Sequence, residues 1–293
     1  MTVTYSGRAF NPAELDRIRE LAAALPTRAA ISRAICAELG WFKPDGGLKE
    51  MSCRVALLRM QRDGLLLLPP PRQGPSRPGP VPLTAASDRQ TPITGSRGDL
   101  GPILLQPVAS QPDRALWREL ITRWHYLGYT RHAGAQIRYL AYDSQHRLLA
   151  ALAFSGAAWK TAPRDRFLRW SPEQRSARLH LIVDNSRFLL LPWVKVRFLA
   201  SSLLAQIARQ LPQDWQRRYG YQPLVLETFV DSHRFSGTSY RAAGWLCLGE
   251  TTGRGKYDRH RGRKQPERYV FIRPLRPDFR ASLRAPLPTP PHS

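Results

Sequence analysis

Residues 69–98 are dense in proline, glycine, serine and arginine and show no apolar period. Such a stretch cannot bury a core, so it divides the chain into two segments that must each fold around their own. The expected organisation is a module at 1–68, a disordered linker at 69–98, a larger domain at 99–275 and a disordered tail at 276–293, where proline again dominates. With 293 residues, 42% hydrophobic and 10% aromatic, both modules have the apolar content to fold.

In the first module Pro12 stands near a helix start, and Ile18, Leu21 and Leu25 recur at helical spacing. A second helix from about Arg28 carries Ile31, Ile35 and Leu39 on one face and stops at Gly40. A third follows the Asp45-Gly46-Gly47 turn, with Met51, Val55 and Leu58 expected inward and Lys49, Arg54, Arg59 and Arg62 outward. Gly64 then caps it, and residues 65–68 read as a strand. Three short helices and a strand resemble a winged helix-turn-helix, whose third helix would carry Lys49, Arg54 and Arg59 into a DNA major groove. A small helical bundle for dimerisation or partner docking has the same periodicity and remains the alternative.

The second segment reads as mixed α/β. Strands are expected at 103–108, 137–142, 148–154, 179–183, 224–230, 245–248 and 268–272. Helices are expected at 112–126, 194–211 and 237–243. This order is similar to the GNAT acetyltransferase fold, a mixed sheet flanked by helices. That fold cradles acyl-CoA pyrophosphate on a glycine-rich turn after its fourth strand. Here residues 184–193 occupy that place and contain no glycine, so acetyl-CoA is not an expected cofactor.

The chain carries 45 Lys and Arg against 22 Asp and Glu, a net charge of +23. A surplus of that size opposes compaction unless an anionic partner offsets it, and phosphate neutralisation is the natural reading. The excess is densest at 157–200 and 252–276. In the first of these, Trp159, Trp170 and Trp193 alternate with Lys160, Arg164, Arg166, Arg169 and Arg197, a pattern that can stack unpaired bases while holding phosphates. Arg187, Arg254, Lys256, Arg263 and Lys264 complete the candidate DNA contacts, so DNA, single-stranded or as a distorted duplex, is the expected partner. A homodimer stays open. Cys36, Cys53 and Cys247 show no paired spacing and sit in apolar patterns, as small core residues do. His125, His132, His180 and His233 show no ligand spacing. Residues 1–10 are mixed and polar, and no apolar run reaches the roughly 18 residues of a membrane helix, so a cytoplasmic, nucleoid-associated location is expected.

Candidate chemistry gathers in residues 224–255. Glu227 and Asp231 share a strand face by their spacing, and Asp184 ends the expected neighbouring strand. Three carboxylates there would hold Mg²⁺ or Mn²⁺ and activate water or a 3′-hydroxyl against a phosphodiester. Pairing of Glu227 and Asp231 with Arg187 or Arg234 is the competing expectation. Tyr240 is a second candidate, as a nucleophile needing an activating base or cation such as Arg241, Arg254, His125 or His233; packing or substrate orientation is its plainer role.

Six strings resemble one family. They are Trp124-His125-Tyr126-Leu127-Gly128, residues 154–170, Asn185-Ser186-Arg187-Phe188-Leu189, Glu227-Thr228-Phe229-Val230-Asp231, residues 235–243 and residues 249–255. In this order they are similar to the DruA family of the Druantia anti-phage defence system, over about 99–275. The resemblance implies a bacterial source, a defence or mobile-element context and action on DNA, but no settled chemistry. Three functions follow as expectations: strand cleavage or transposase-like transfer by the acids or Tyr240, a non-catalytic DNA-sensing subunit, and an unusual acyltransferase.

Overall fold

The computed structural model describes residues 2–43, 46–71, 79–131, 134–251 and 266–286. Two compact units divide the chain at Gly79 and Pro80.

The first unit opens with an antiparallel hairpin of β1 (Val3–Tyr5) and β2 (Arg8–Phe10). Helix α1 (Pro12–Ala24) starts on a capping box: the Asn11 side chain accepts from Glu14 N at 2.9 Å and the Glu14 carboxylate accepts from Asn11 N at 3.0 Å. Thr27 caps α2 (Arg28–Glu38), and α3 (Glu50–Arg62) follows. Phe10, Ile18, Ile31, Ile35, Leu57 and Met60 form the core.

Two expectations fail in this unit. Residues 65–68 form no strand; Arg19 Nε donates to Leu65 O at 2.8 Å and Arg28 Nε to Pro69 O at 2.7 Å, so helix arginines satisfy carbonyls that a sheet partner would otherwise take. Helix α3 is also turned about its axis from the expected setting. Met51 is 65% exposed, and Val55 and Leu58 are exposed with it, while Cys53, Ala56, Leu57 and Met60 face inward. The chain holds two interleaved apolar series. The winning one is wider, and the small Cys53 and Ala56 let α2 approach closely.

The second unit is built on a seven-stranded sheet in the order β10-β11-β9-β7-β6-β5-β4. Its strands are β4 (Leu104–Pro107), β5 (Gln136–Tyr142), β6 (Leu148–Gly156), β7 (Ile182–Leu190), β9 (Val225–Asp231), β10 (Leu246–Glu250) and β11 (Arg268–Pro274). A separate parallel pair joins β3 (Ile93–Ser96) to β8 (Val194–Arg197). Helices α4 (Gln111–Trp124) and α7 (Leu199–Tyr219) pack Trp117, Leu120, Leu203, Ile207 and Trp215 into the main core. Helices α5 (Ala162–Leu168), α6 (Pro172–Arg178) and α9 (Phe279–Arg284) lie around a satellite cluster that includes Leu168, Ile182, Val225 and Leu283. Strand alternation explains the division: Ile182 and Val225 enter the satellite cluster, and their successors Val183 and Leu226 enter the main core.

All pairs of the large sheet are antiparallel except β7 with β9. That parallel ladder holds only Ile182↔Val225, Val183↔Leu226 and Asp184↔Glu227. The strands continue to Leu190 and Asp231 without pairing to each other. The sheet is therefore forked beyond Asp184 and Glu227.

Four boundaries differ from expectation. Residues 80–98 are no disordered linker: Thr84 N and Oγ1 both donate to Glu119 at 2.8 Å, Trp124 Nε1 donates to Ser87 O, Asp88 pairs with Arg123, and Ile93 is buried. Polar side chains on α4 hold this stretch where no apolar period announces it. In the expected tail, α9 forms because Phe279 and Leu283 reach the satellite cluster; residues 287–293 lie outside the described residues. The helix expected from 194 begins at Leu199, since the alternation Val-Lys-Val-Arg pairs as β8 and Phe198 turns the chain at φ 64°. The strand expected at 179–183 is a short 3-10 turn followed by β7, so residues 184–190, read as a turn, are strand. Helix α8 (Thr238–Ala242) forms near its expected place.

Candidate functional site

At the fork, two of the candidate catalytic groups, Glu227 and Tyr240, are buried and bonded to neighbouring side chains. Glu227 and Arg164 are both 0% exposed. Both Glu227 carboxylate oxygens accept from Arg164 Nη1 at 3.0 Å, and Oε1 also accepts from Ala158 N at 3.1 Å. Arg164 donates further to Ala158 O at 2.8 Å and to Asp165 Oδ1 at 3.1 Å. Glu227 and Arg164 therefore face each other, closed off from solvent. The pair exists because an unpaired charge would be costly in that interior.

Asp184, the register partner of Glu227, is half-buried, with Oδ1 enclosed and without a hydrogen-bond partner. Burial first, and then the charge of Glu227, hold its carboxyl well above the usual carboxylate range. Asp231 lies at the end of β9, opposite Arg268, and accepts the backbone N–H of His233. The expected three-carboxylate metal centre is not assembled, and among the described residues no group of three or more His, Cys, Asp or Glu is set to share a metal. Tyr240 is also interior. Its hydroxyl donates to Asn185 Oδ1 at 2.8 Å, and its ring lies against Phe188, Trp245 and Phe271. Burial raises its phenol above the ordinary value, the opposite of what a nucleophile needs. Asn185 Nδ2 in turn donates to Ala153 O and Arg187 O, so this network braces the fork.

The expected DNA contacts divide. Arg187 is buried and donates to Gly128 O at 3.1 Å, Ser186 O at 2.6 Å and Thr130 Oγ1 at 2.9 Å, holding the loop after α4 instead of facing solvent. Trp170 and Trp193 are core residues. Trp159 is 57% exposed, with Lys160 exposed beside it and the Arg175 guanidinium 5.4 Å from its ring. This segment follows β6, and Arg164 and Glu227 anchor it through Ala158 N and O. In the first unit Arg59 is exposed and Lys49 half-exposed, while Arg54 is tied to Glu50 at 3.0 Å and Ser32 Oγ at 3.2 Å. Arg254, Lys256, Arg263 and Lys264 lie outside the described residues, as does His132. Cys36 and Cys53 are buried as expected, whereas Cys247 is exposed on the edge strand β10.

Between the parted strands lies a cleft of about 600 Å³. Its walls are β7 past Asp184, β9 past Glu227, the loop after α4 and residues 234–240. Tyr126 and Phe235 stand at its mouth, 37% and 47% exposed, with ring centroids 5.6 Å apart. The Arg234 guanidinium lies 4.5 Å from the Tyr126 centroid, and the His125 ring stacks on Tyr126 at 4.9 Å. His125 Nδ1 accepts from Leu127 N, which leaves the ring proton on Nε2. Burial, aided by Arg187 and Arg234, lowers its pKa to about 4, so the imidazole is neutral at physiological pH. Among the described residues, no aspartate or glutamate lines the cleft. Sequence reasoning passed over Tyr126, Arg234 and Phe235 as site residues; the available signal was an arginine beside an aromatic directly after a strand end.

An α/β unit with helices on both faces of a mostly antiparallel sheet, whose β7–β9 parallel pair opens into a ligand-sized cleft, preceded by a small helical unit, is the class that fold and site define. The chain belongs to the family described as Druantia protein DruA, which matches residues 83–269. The match begins inside the stretch expected as linker, in keeping with its packing on α4. Membership carries an anti-phage defence context. No curated protein matches the chain. Among solved structures it is similar to spermidine N-acetyltransferase from Vibrio cholerae. With the form holding CoA and spermine the identity is 10% and the TM-score 0.39, over 58% of this chain and 94% of that one. With the form holding manganese the values are 11% and 0.38, over 59% and 92%. These values say nothing about activity. Among the described residues no helix is long and apolar enough to cross a membrane.

Proposed function

We propose that this chain is a nucleic-acid-binding, strand-sensing component of a defence system, and that it does not cut through Glu227 or Tyr240. The observation that carries the reading is Trp159 with Lys160, exposed on a segment anchored by a buried ion pair. An indole kept in water beside cations offers a stacking face for an unpaired base, worth about 1–3 kcal/mol per base. The net charge of +23 supplies the sequence-independent attraction to phosphates. In the first unit, α3 presents Met51, Val55 and Leu58 with Arg59 and Arg62 to solvent, a mixture suited to thymine methyls and to guanine or phosphate in a major groove.

Anisotropy of a fluorescein-labelled single-stranded oligonucleotide tests this. Trp159→Ala should weaken binding roughly 5- to 100-fold, and binding should persist in EDTA because the contacts need no divalent ion. Unchanged affinity in a Trp159→Ala/Lys160→Ala variant would overturn the reading.

The fork favours one second reading, an acyl-CoA-type ligand, because the unpaired strand edges would suit an amide-bearing arm. Against it, residues 191–198 between β7 and α7 contain no glycine to form a phosphate cradle. A polyamine acceptor finds no carboxylate among the described residues that line the cleft. A clear thermal shift with acetyl-CoA would revive this reading.

A further inference from the structure

We infer that the cleft between β7 and β9 receives a single unpaired nucleobase, which enters past Tyr126 and Phe235. This rests on the nucleic-acid reading and adds to it a defined pocket, separate from the Trp159 surface.

Four observations carry it. The volume of about 600 Å³ lies within the roughly 300–1,000 Å³ typical of small-ligand sites, so the cleft can take a base with part of its sugar. The mouth offers flat faces: Tyr126 and Phe235 are both exposed, and Arg234 lies over Tyr126 at 4.5 Å with its guanidinium free to meet a phosphate at the rim. The interior offers hydrogen-bonding groups that a base edge needs. His125 lines the cleft with a neutral imidazole whose proton is on Nε2, and past Asp184 and Glu227 the two strands no longer pair with each other, although the carbonyls of Asn185, Ser186 and Arg187 are taken by side chains. Among the described residues the lining charges are Arg187 and Arg234, with Asp184 and Asp231 set just behind the lining, a balance that admits a nucleotide whose phosphate stays at the Arg234 rim.

The floor does not need to rearrange. Tyr240, Asn185 and Ala153 O form a closed hydrogen-bonded chain under the cleft, and Thr228 Oγ1 ties β9 to Asn185 O at 3.0 Å. Extruding a base costs unstacking, and that cost is smallest in single strands, bulges and mismatches. The pocket thus selects for disturbed nucleic acid, whatever its sequence.

The test uses the full chain and two oligonucleotides of one sequence, one with 2-aminopurine at a single bulged position and one abasic there. Bound protein should quench the 2-aminopurine emission several-fold, and the abasic form should bind at least about tenfold more weakly, the loss expected for one stacked base. Tyr126→Ala/Phe235→Ala should abolish most of the quench, Tyr126→Phe should retain it, and thermal unfolding should show the double variant folded. Equal affinity for the abasic form, or a quench that survives the double variant and vanishes with Trp159→Ala, overturns the pocket while leaving the nucleic-acid reading standing. Absence of binding to either oligonucleotide overturns both.

Discussion

Arg164 and Glu227 show how far a residue's spacing can mislead. Glu227 and Asp231 do share a strand and a face, as their four-residue separation requires, but the partner that decides the role of Glu227 comes from a helix 63 positions earlier. No local pattern reports such a pairing, which forms only once β6 and β9 are brought together through β7. Removing one member leaves a buried charge alone, so Arg164→Ala should cost about 3–5 kcal/mol in denaturant unfolding. Replacing both by apolar residues of similar volume should cost much less. Asp184 gives a pH prediction. Its folded pKa is raised, so the folded state binds more protons than the unfolded chain above the ordinary carboxylate pKa, and stability falls as pH rises towards the folded value. Asp184→Asn should raise the melting temperature at neutral pH and flatten that decline. Identical pH profiles for variant and parent would contradict the assignment.

Among elements, those with a strong period were legible and those fixed by long-range contacts were not. The hairpin of β5 and β6 appears where alternation and the turn at 143–146 predict it. Strand β3 escaped notice because its sequence, Ile-Thr-Gly-Ser, is too short to show alternation; its pairing with β8 and the burial of Ile93 make it part of the fold. Ile93→Ala should therefore destabilise by about 2–4 kcal/mol, a loss that a disordered linker could not produce. The short helix α8 depends on Gly237, which sits at φ 73° with the site of a Cβ only 2.4 Å from Phe271 Cζ. Gly237→Ala should cost about 1–3 kcal/mol through that clash and the positive φ together, and displace Tyr240 from Asn185. The turn of α3 escaped for another reason: two apolar series compete, and only packing against α2 selects between them.

At the scale of the whole molecule, the adjacency of β7 and β9 could be read from the sequence, whereas the fork between them could not. Residues 184–190 look like any alternating segment, and nothing local says that β9 leaves β7 after one shared carboxylate pair. The mouth of the cleft is assembled from residues 125–127 and 234–240, segments that meet only in the folded unit. Charge was legible throughout, and it remains the property that any account of this protein must use. The central claim is that the chain holds a nucleic-acid strand through phosphates and exposed aromatics. Its most direct test is the association constant for a labelled single strand measured across a series of monovalent salt concentrations. The account predicts a linear fall of log K against log salt with a slope of about −3 or steeper, at roughly −0.7 per neutralised phosphate. A flat dependence, or no binding at low salt, would contradict it.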